Sequence, residues 1–277
     1  MKHNLFDLFQ SRFPADRSEP FIETGDGRVY TYAEAEQASG RFARLLGDLG
    51  VQPGDRLAVQ VDKSPEAVFL HLASLRLGAV YLPLNTAYRD AEMTHFFTDA
   101  EPKALICRPE DEAERGALAR ASDVSCVLTL NGAGGGTLIT KSRGLDADYP
   151  TAETDADDIA ALLYTSGTTG RPKGAMLSHH NLSSNLLTLH QAWGWNSTDV
   201  LLHALPLFHT HGLFVALGCV LLNGTRMLFL SNFDVEQAVR LLPRASVFMG
   251  VPTHYVRLLS HSGLTRDLCR TMRLFVS

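Results

Sequence analysis

Nine consecutive residues, Thr165 to Lys173, carry four hydroxyls, two glycines and one lysine. Glycines let backbone N–H groups approach a phosphate closely and adopt positive φ. Hydroxyls add donors that rotate to suit a ligand. A lysine supplies a compact charge for a phosphate that grows more negative during transfer. The run directly follows Ile159 to Tyr164, an apolar stretch with the signature of a buried strand. A strand entering such a loop predicts phosphate binding; the plain alternative is a Ser/Gly-rich surface turn. It is not a Walker A loop, which needs Gly-Lys-Ser/Thr, because Pro172 precedes Lys173 and Gly174 follows it. A P-loop NTPase or kinase therefore fits poorly.

A second group of chemistry-bearing residues is His203, His209 and His211. His209 and His211 are two apart, so on extended backbone they would share a face. Such a pair suggests a metal-dependent hydrolase, but no Asp, Glu or Cys lies within a few residues to complete a ligand set. Polar site residues and ordinary core or surface histidines both remain open readings. Arg226, Arg244 and Arg257 read as solvated surface groups.

The elements that must position these residues alternate. Thr31 and Glu34 have capping-box spacing, and Ala35, Phe42, Leu45, Leu46 and Leu49 follow on one helical face that Gly50 closes. Pro53-Gly54-Asp55 is a turn before a strand over Arg56 to Val61. Ser64-Pro65-Glu66 starts a helix running to Gly78, with Pro at its tolerated first position. Ala79 to Leu84 reads as a strand, Asp90 to Asp99 as a helix and Lys103 to Cys107 as a strand. From Arg108 to Asp157 the pattern weakens to an irregular connection with at most one strand, Val124 to Leu130, and a flexible Asn131 to Gly136 loop. Order returns with strands at Ile159 to Tyr164, Gly174 to Leu177 and Val200 to Leu205. Leu182, Leu186 and Leu189 mark a helix. Val235 to Leu242 is a helix, Ser246 to Met249 a strand, and Thr253 is expected to cap a further helix. Met272 to Ser277 is a last strand. Alternation of this kind implies βαβ units and a mainly parallel sheet. The expected division is residues 1–110, a connection over 111–157, and a loop-bearing subdomain over 158–277.

Composition narrows the class. Hydrophobic residues make up 45% and charged residues 20%, as in ordinary globular proteins. A net charge of -5 gives no field to recruit nucleic acid or an anionic membrane. The four cysteines are scattered with no CxxC pair, which reads as reduced thiols in a cytoplasmic protein. No secretory h-region and no stretch of membrane-spanning length is visible.

Four segments in order resemble the adenylate-forming superfamily of acyl-CoA synthetases, coumarate-CoA ligases, luciferases and peptide-synthetase adenylation domains. They are Tyr81-Leu82-Pro83-Leu84-Asn85, Tyr164 to Gly174, Leu205-Pro206-Leu207-Phe208-His209 and Gly250-Val251-Pro252-Thr253. The resemblance implies an α/β fold of βαβ units with mainly parallel sheets flanked by helices, here the N-terminal region of the adenylate-forming enzyme fold. It implies a two-step reaction: a carboxylate attacks the α-phosphorus of ATP, then a thiol, normally that of coenzyme A, displaces AMP. It assigns Thr165, Ser166, Gly167, Thr168, Thr169, Gly170 and Lys173 to the phosphates, with Lys173 catalytic. Thr165 or Thr168 would approach Mg²⁺. His209 would be catalytic at the carboxylate and acyl-adenylate.

His211 stands where long-chain and aryl ligases usually have an apolar residue. The segments around His209-Thr210-His211-Gly212, Met249 to Tyr255 and Met272 to Ser277 resemble malonyl-CoA synthetases. Malonate or methylmalonate is therefore the favoured acid, with a short or medium chain as the alternative. The acid pocket would include His209, His211, Met249, Gly250, Val251, Pro252, Thr253 and Ser277. No nucleic-acid or membrane partner is expected. The family's later motifs, for adenine, ribose, a metal-associated glutamate and a small C-terminal domain, do not occur. The sequence therefore reads as the first part of a longer chain, inactive alone; a non-catalytic nucleotide-binding remnant is the alternative.

Overall fold

The computed structural model describes residues 3–165 and 172–277. A short helix α1 (Leu5–Gln10) precedes an antiparallel pair, β1 (Pro20–Thr24) and β2 (Val29–Thr31). Helix α2 (Tyr32–Asp48) opens with the expected reciprocal cap: the Thr31 N–H donates to Glu34 Oε2 at 2.7 Å and the Glu34 N–H to Thr31 Oγ1 at 3.2 Å. After β3 (Arg56–Gln60), Ser64 Oγ caps α3 (Pro65–Leu77) by accepting from the Ala67 N–H. Gly78 ends α3 at φ 73°, where a glycine is needed. Every residue of α3 is buried, consistent with a helix apolar on most sides.

β4 (Val80–Pro83), α4 (Asp90–Ala100) and β5 (Ala104–Cys107) follow as expected. The segment expected to be an irregular connection holds α5 (Glu112–Ala121), the one expected strand as β6 (Cys126–Thr129), and α6 (Thr137–Ser142), so two helices were not foreseen. The glycine-rich run within it is a structured turn. Asn131 Oδ1 accepts from the Ala133 and Gly135 N–H groups at 3.0 and 2.8 Å. Thr129 and Thr137 exchange side-chain-to-backbone hydrogen bonds at its mouth.

β7 (Ile159–Thr165) and β8 (Lys173–Ser178) form an antiparallel pair, and α7 (His179–Trp193) follows. β9 (Val200–His203) stops two residues short of the expected end. One π-helical turn (His211–Ala216) runs into α8 (Leu217–Asn223). The rest is β10 (Arg226–Phe229), α9 (Val235–Leu241), β11 (Val247–Met249), α10 (Pro252–Leu259) and β12 (Leu274–Val276). Thr253 does not cap α10. Pro252 takes its first position and the cap is Val251, on extended backbone.

The chain divides into two units at boundaries other than those expected from sequence. One comprises the chain up to Leu8 with Glu36–Ser183; the other comprises Phe9–Ala35 with Ser184–Ser277. The first carries the sheet β6-β5-β3-β4-β7-β8, parallel except for β8. Its core includes Leu82, Met93, Phe96, Phe97 and Leu105. The second carries the sheet β12-β11-β9-β10-β1-β2, parallel except for β2. Its core includes Leu202, Leu228, Leu242 and Phe248. The boundary falls after β8 because β7 pairs with β4 and so completes the first sheet.

Candidate functional site

In the first unit, the phosphate-type loop is the connection of the β7–β8 hairpin. Thr165 is paired with Lys173, so the ladder fixes both ends of the connection opposite each other. Both side chains are exposed. Ser166, Gly167, Thr168, Thr169 and Gly170 lie outside the described residues. β7 approaches this point parallel to β4, so the loop follows the carboxyl end of a parallel strand, where open α/β sheets bind ligands. Two contacts from α4 reach the hairpin. Tyr164 OH donates to Asp99 Oδ2 at 2.6 Å, and His95 Nε2 lies 3.1 Å from the Pro172 carbonyl oxygen. Burial, and next the Asp99 contact, raise the Tyr164 hydroxyl pKa well above its ordinary value. A cavity of about 350 Å³ opens among Arg56, Val80, Thr154 and Ile159, at the opposite end of these strands, and belongs to no part of the expected chemistry.

In the second unit, the remaining candidates share one edge. His203, Phe229, Met249 and Val276 end four parallel strands and lie in register across the sheet. His209 and His211 follow β9, Gly250, Val251, Pro252 and Thr253 follow β11, and Ser277 follows β12. Met249 is fully buried, whereas Val251, Pro252, Thr253 and Ser277 are exposed. The Gly250 N–H and the Tyr255 hydroxyl both donate to the Val276 carbonyl oxygen, at 2.9 and 2.6 Å.

His209 and His211 do not share an extended face. The chain turns after Leu205 and is helical from Thr210, so the His209 ring leaves a bend and the His211 ring the start of the π-helical turn, neither a strand. The buried His203 ring is 2.9 Å from the Gly212 carbonyl oxygen through Nε2. A Cβ at Gly212 would lie 2.0 Å from the Pro206 carbonyl oxygen, so only glycine permits this closure. His209 is exposed, with its ring 4.6 Å from that of Phe208. His211 is half-buried, and its Nε2 is buried without a hydrogen-bond partner among the described residues. Burial lowers the pKa of both imidazoles, favouring the neutral form. The edge thus offers one accessible imidazole and one sheltered imidazole nitrogen suited to an oxygen-rich ligand.

Sequence reasoning missed His95, Asp99 and the part His203 plays. The i, i+4 spacing of His95 and Asp99 was an available signal, since it puts both on one face of α4. Among the described residues, no three His, Cys, Asp or Glu side chains gather as a cation site. Thr165 is the one expected metal-proximal residue within the described chain, and a single hydroxyl does not make a magnesium site.

Residues 9–277 match the family model described as AMP-binding enzyme, and the chain belongs to that family. It is 31% identical over 236 residues to 4-coumarate–CoA ligase 2 of Solanum tuberosum, covering 83% of this chain and 43% of that protein. It is 28% identical over 288 residues to a malonate–CoA ligase of Arabidopsis thaliana, covering 92% and 47%. The fold superposes on ATP-bound MatB from Rhodopseudomonas palustris with a TM-score of 0.95 and 47% identity, over 99% of this chain and 54% of that one. The chain spans about half the length of the curated relatives it matches. No helix among the described residues is long and apolar enough to cross a membrane.

Proposed function

We propose that the protein carrying this chain is an ATP-dependent carboxylate–CoA ligase acting on malonate or methylmalonate. The observation that carries the ligase reading is the β7–β8 hairpin, which holds Lys173 opposite Thr165 at the carboxyl end of a parallel strand. Membership in the AMP-binding family and the likeness to an ATP-bound structure support it. In the first step a carboxylate oxygen bonds to the α-phosphorus of ATP, and the bond to the β-phosphate oxygen breaks, releasing pyrophosphate. Lys173 and the loop hydroxyls are assigned to the phosphates, where the lysine charge offsets the charge growing on pyrophosphate. In the second step the thiolate of coenzyme A attacks the acyl carbon and AMP leaves. Mg²⁺, when bound with the nucleotide, would supply charge neutralisation.

His209 is assigned to the reacting carboxylate. The sheltered Nε2 of His211 favours a second carboxylate on the acid, because an oxygen there would satisfy a buried nitrogen. The Arabidopsis relative supports the same choice, while the Solanum relative favours an aryl acid instead. Pyrophosphate exchange by the full-length protein across malonate, methylmalonate, acetate, octanoate and 4-coumarate decides among them. Fastest exchange with either small diacid is expected; faster exchange with octanoate or 4-coumarate would replace the malonate reading. Lys173→Ala is expected to reduce exchange at least about tenfold, the effect of one charge-stabilising contact. Its melting temperature should be unchanged, because an exposed side chain at a hairpin end adds little to the core.

A further inference from the structure

Helix α4 contacts the β7–β8 hairpin at both ends of its connection. At the entry, Tyr164 immediately precedes Thr165, and its hydroxyl donates to Asp99 Oδ2 at 2.6 Å. At the exit, Pro172 immediately precedes Lys173, and its carbonyl oxygen lies 3.1 Å from His95 Nε2. A carbonyl oxygen only accepts, so the His95 nitrogen must carry the proton. The spacing of His95 and Asp99, four residues on one helix, places both groups on the same face. Between them Phe96 packs its ring against Tyr164, with centroids 4.4 Å apart.

The helix is itself firmly seated. Met93, Phe96, Phe97 and Ala100 are buried in the core of the same unit. Its first turn is tied by the Arg89 N–H to Glu92 Oε2 at 2.9 Å. Asp90 is held by the buried Arg115 guanidinium, which also donates to Gln60 and to the Tyr88 carbonyl oxygen. None of these contacts is needed to close the β7–β8 ladder, whose own pairs already join Thr165 to Lys173. What α4 adds is a further hold on that end of the hairpin at the edge of the sheet.

We propose that His95 and Asp99 are positioning residues for nucleotide binding, acting through Pro172 and Tyr164 to set where Lys173 and Thr165 stand. The inference rests on the ligase reading given above for this hairpin. An anchored lysine meets a phosphate without first losing its own freedom of position, so loosening the anchor weakens ATP more than the acid.

The test uses the full-length protein, with ATP binding measured by calorimetry and KM measured separately for ATP and malonate. His95→Ala, Asp99→Ala and Tyr164→Phe should each weaken ATP binding about fivefold, the value of one net hydrogen bond. KM for malonate should stay within about twofold, well under the effect of one lost hydrogen bond. Asp99→Asn keeps an acceptor for Tyr164, and His95→Gln keeps a donor for Pro172. Both should restore most of the loss, which also separates positioning from a general folding defect. The double variant Asp99→Ala with Tyr164→Phe should be no worse than either single variant, because both remove one bond. Unchanged ATP affinity in the alanine variants overturns the inference. So does an equal loss for ATP and malonate, or a lowered melting temperature with KM for ATP intact. Lys173→Ala tests the underlying reading separately. If it impairs ATP binding while the α4 variants do not, only the anchoring falls; if it leaves ATP binding intact, the hairpin reading falls and the anchoring with it.

Discussion

At position 212 a methyl group would stand 2.0 Å from the Pro206 carbonyl oxygen, with the Leu205 side chain at 3.1 Å. Gly212→Ala must therefore move backbone rather than a pliable side chain, at a cost of at least about 1–3 kcal/mol. Thermal melting should show the loss, and the displaced π-helical turn should raise KM for the acid. His203→Ala leaves the Gly212 carbonyl without its ring partner and should cost about 1–3 kcal/mol. The loop of hydroxyls, glycines and a lysine was legible as a phosphate binder because composition and local order carry that chemistry. The directions of His209 and His211 were not legible, because they depend on contacts of Gly212 with Pro206 and His203. Spacing within the tripeptide has no record of those partners. Spacing alone put His95 and Asp99 on one face of α4, but their partners Pro172 and Tyr164 lie far along the chain and were not legible.

Among the elements, α1 depends on a histidine. The Leu5 N–H donates to Nδ1 of the buried His179 at 3.1 Å, so that nitrogen must be unprotonated. Burial, partly opposed by the Asp158 charge, lowers the His179 pKa to about 4. The unfolded chain binds this proton near pH 6.5. The stabilisation is therefore complete above about pH 6.5 and is lost as the pH falls through the folded value near 4. Stability measured by denaturant unfolding should fall as the pH is lowered over that range, and His179→Gln should flatten the slope. Removing the α3 cap by Ser64→Ala should cost about 1 kcal/mol in the same measurement. Caps, glycine stops and apolar stripes made α2, α3, α4 and α7 readable, because each is a local device. β1, β2 and β10 were missed; β1 is seated in the sheet by β10, far along the chain, a pairing that no local pattern records. Helix α5 was missed because it has no side-chain cap, and α6 because its first residue is tied to Thr129 by an exchange across the glycine-rich turn rather than by a cap of its own.

For the molecule as a whole, acid resistance of the second unit should depend on one buried carboxylate. Asp199 is 2% exposed; burial alone would raise its pKa, but Arg273, the Asn196 N–H and Ser246 together hold it below the ordinary value. The stabilisation is present above the unfolded-state pKa near about 4 and fades as pH falls toward the lower folded value. Arg273→Ala leaves the carboxylate buried without its cation, at a cost of about 3–5 kcal/mol near neutrality. The gap from the parent protein should narrow below about pH 4, where protonation removes the uncompensated charge. Strand order across the second sheet has another outcome. β1 sits between β2 and β10, with Ile22 opposite Met227, a separation of about 200 residues. A ribosome adding about 5–20 residues each second needs roughly 10–40 s to cover that distance. Throughout that interval the nascent chain carries Phe21 and Ile22, both fully buried at the end, on a strand whose parallel neighbour has not yet been synthesised. An interval in which β1 stands open along one side is therefore built into the order in which this sheet is assembled.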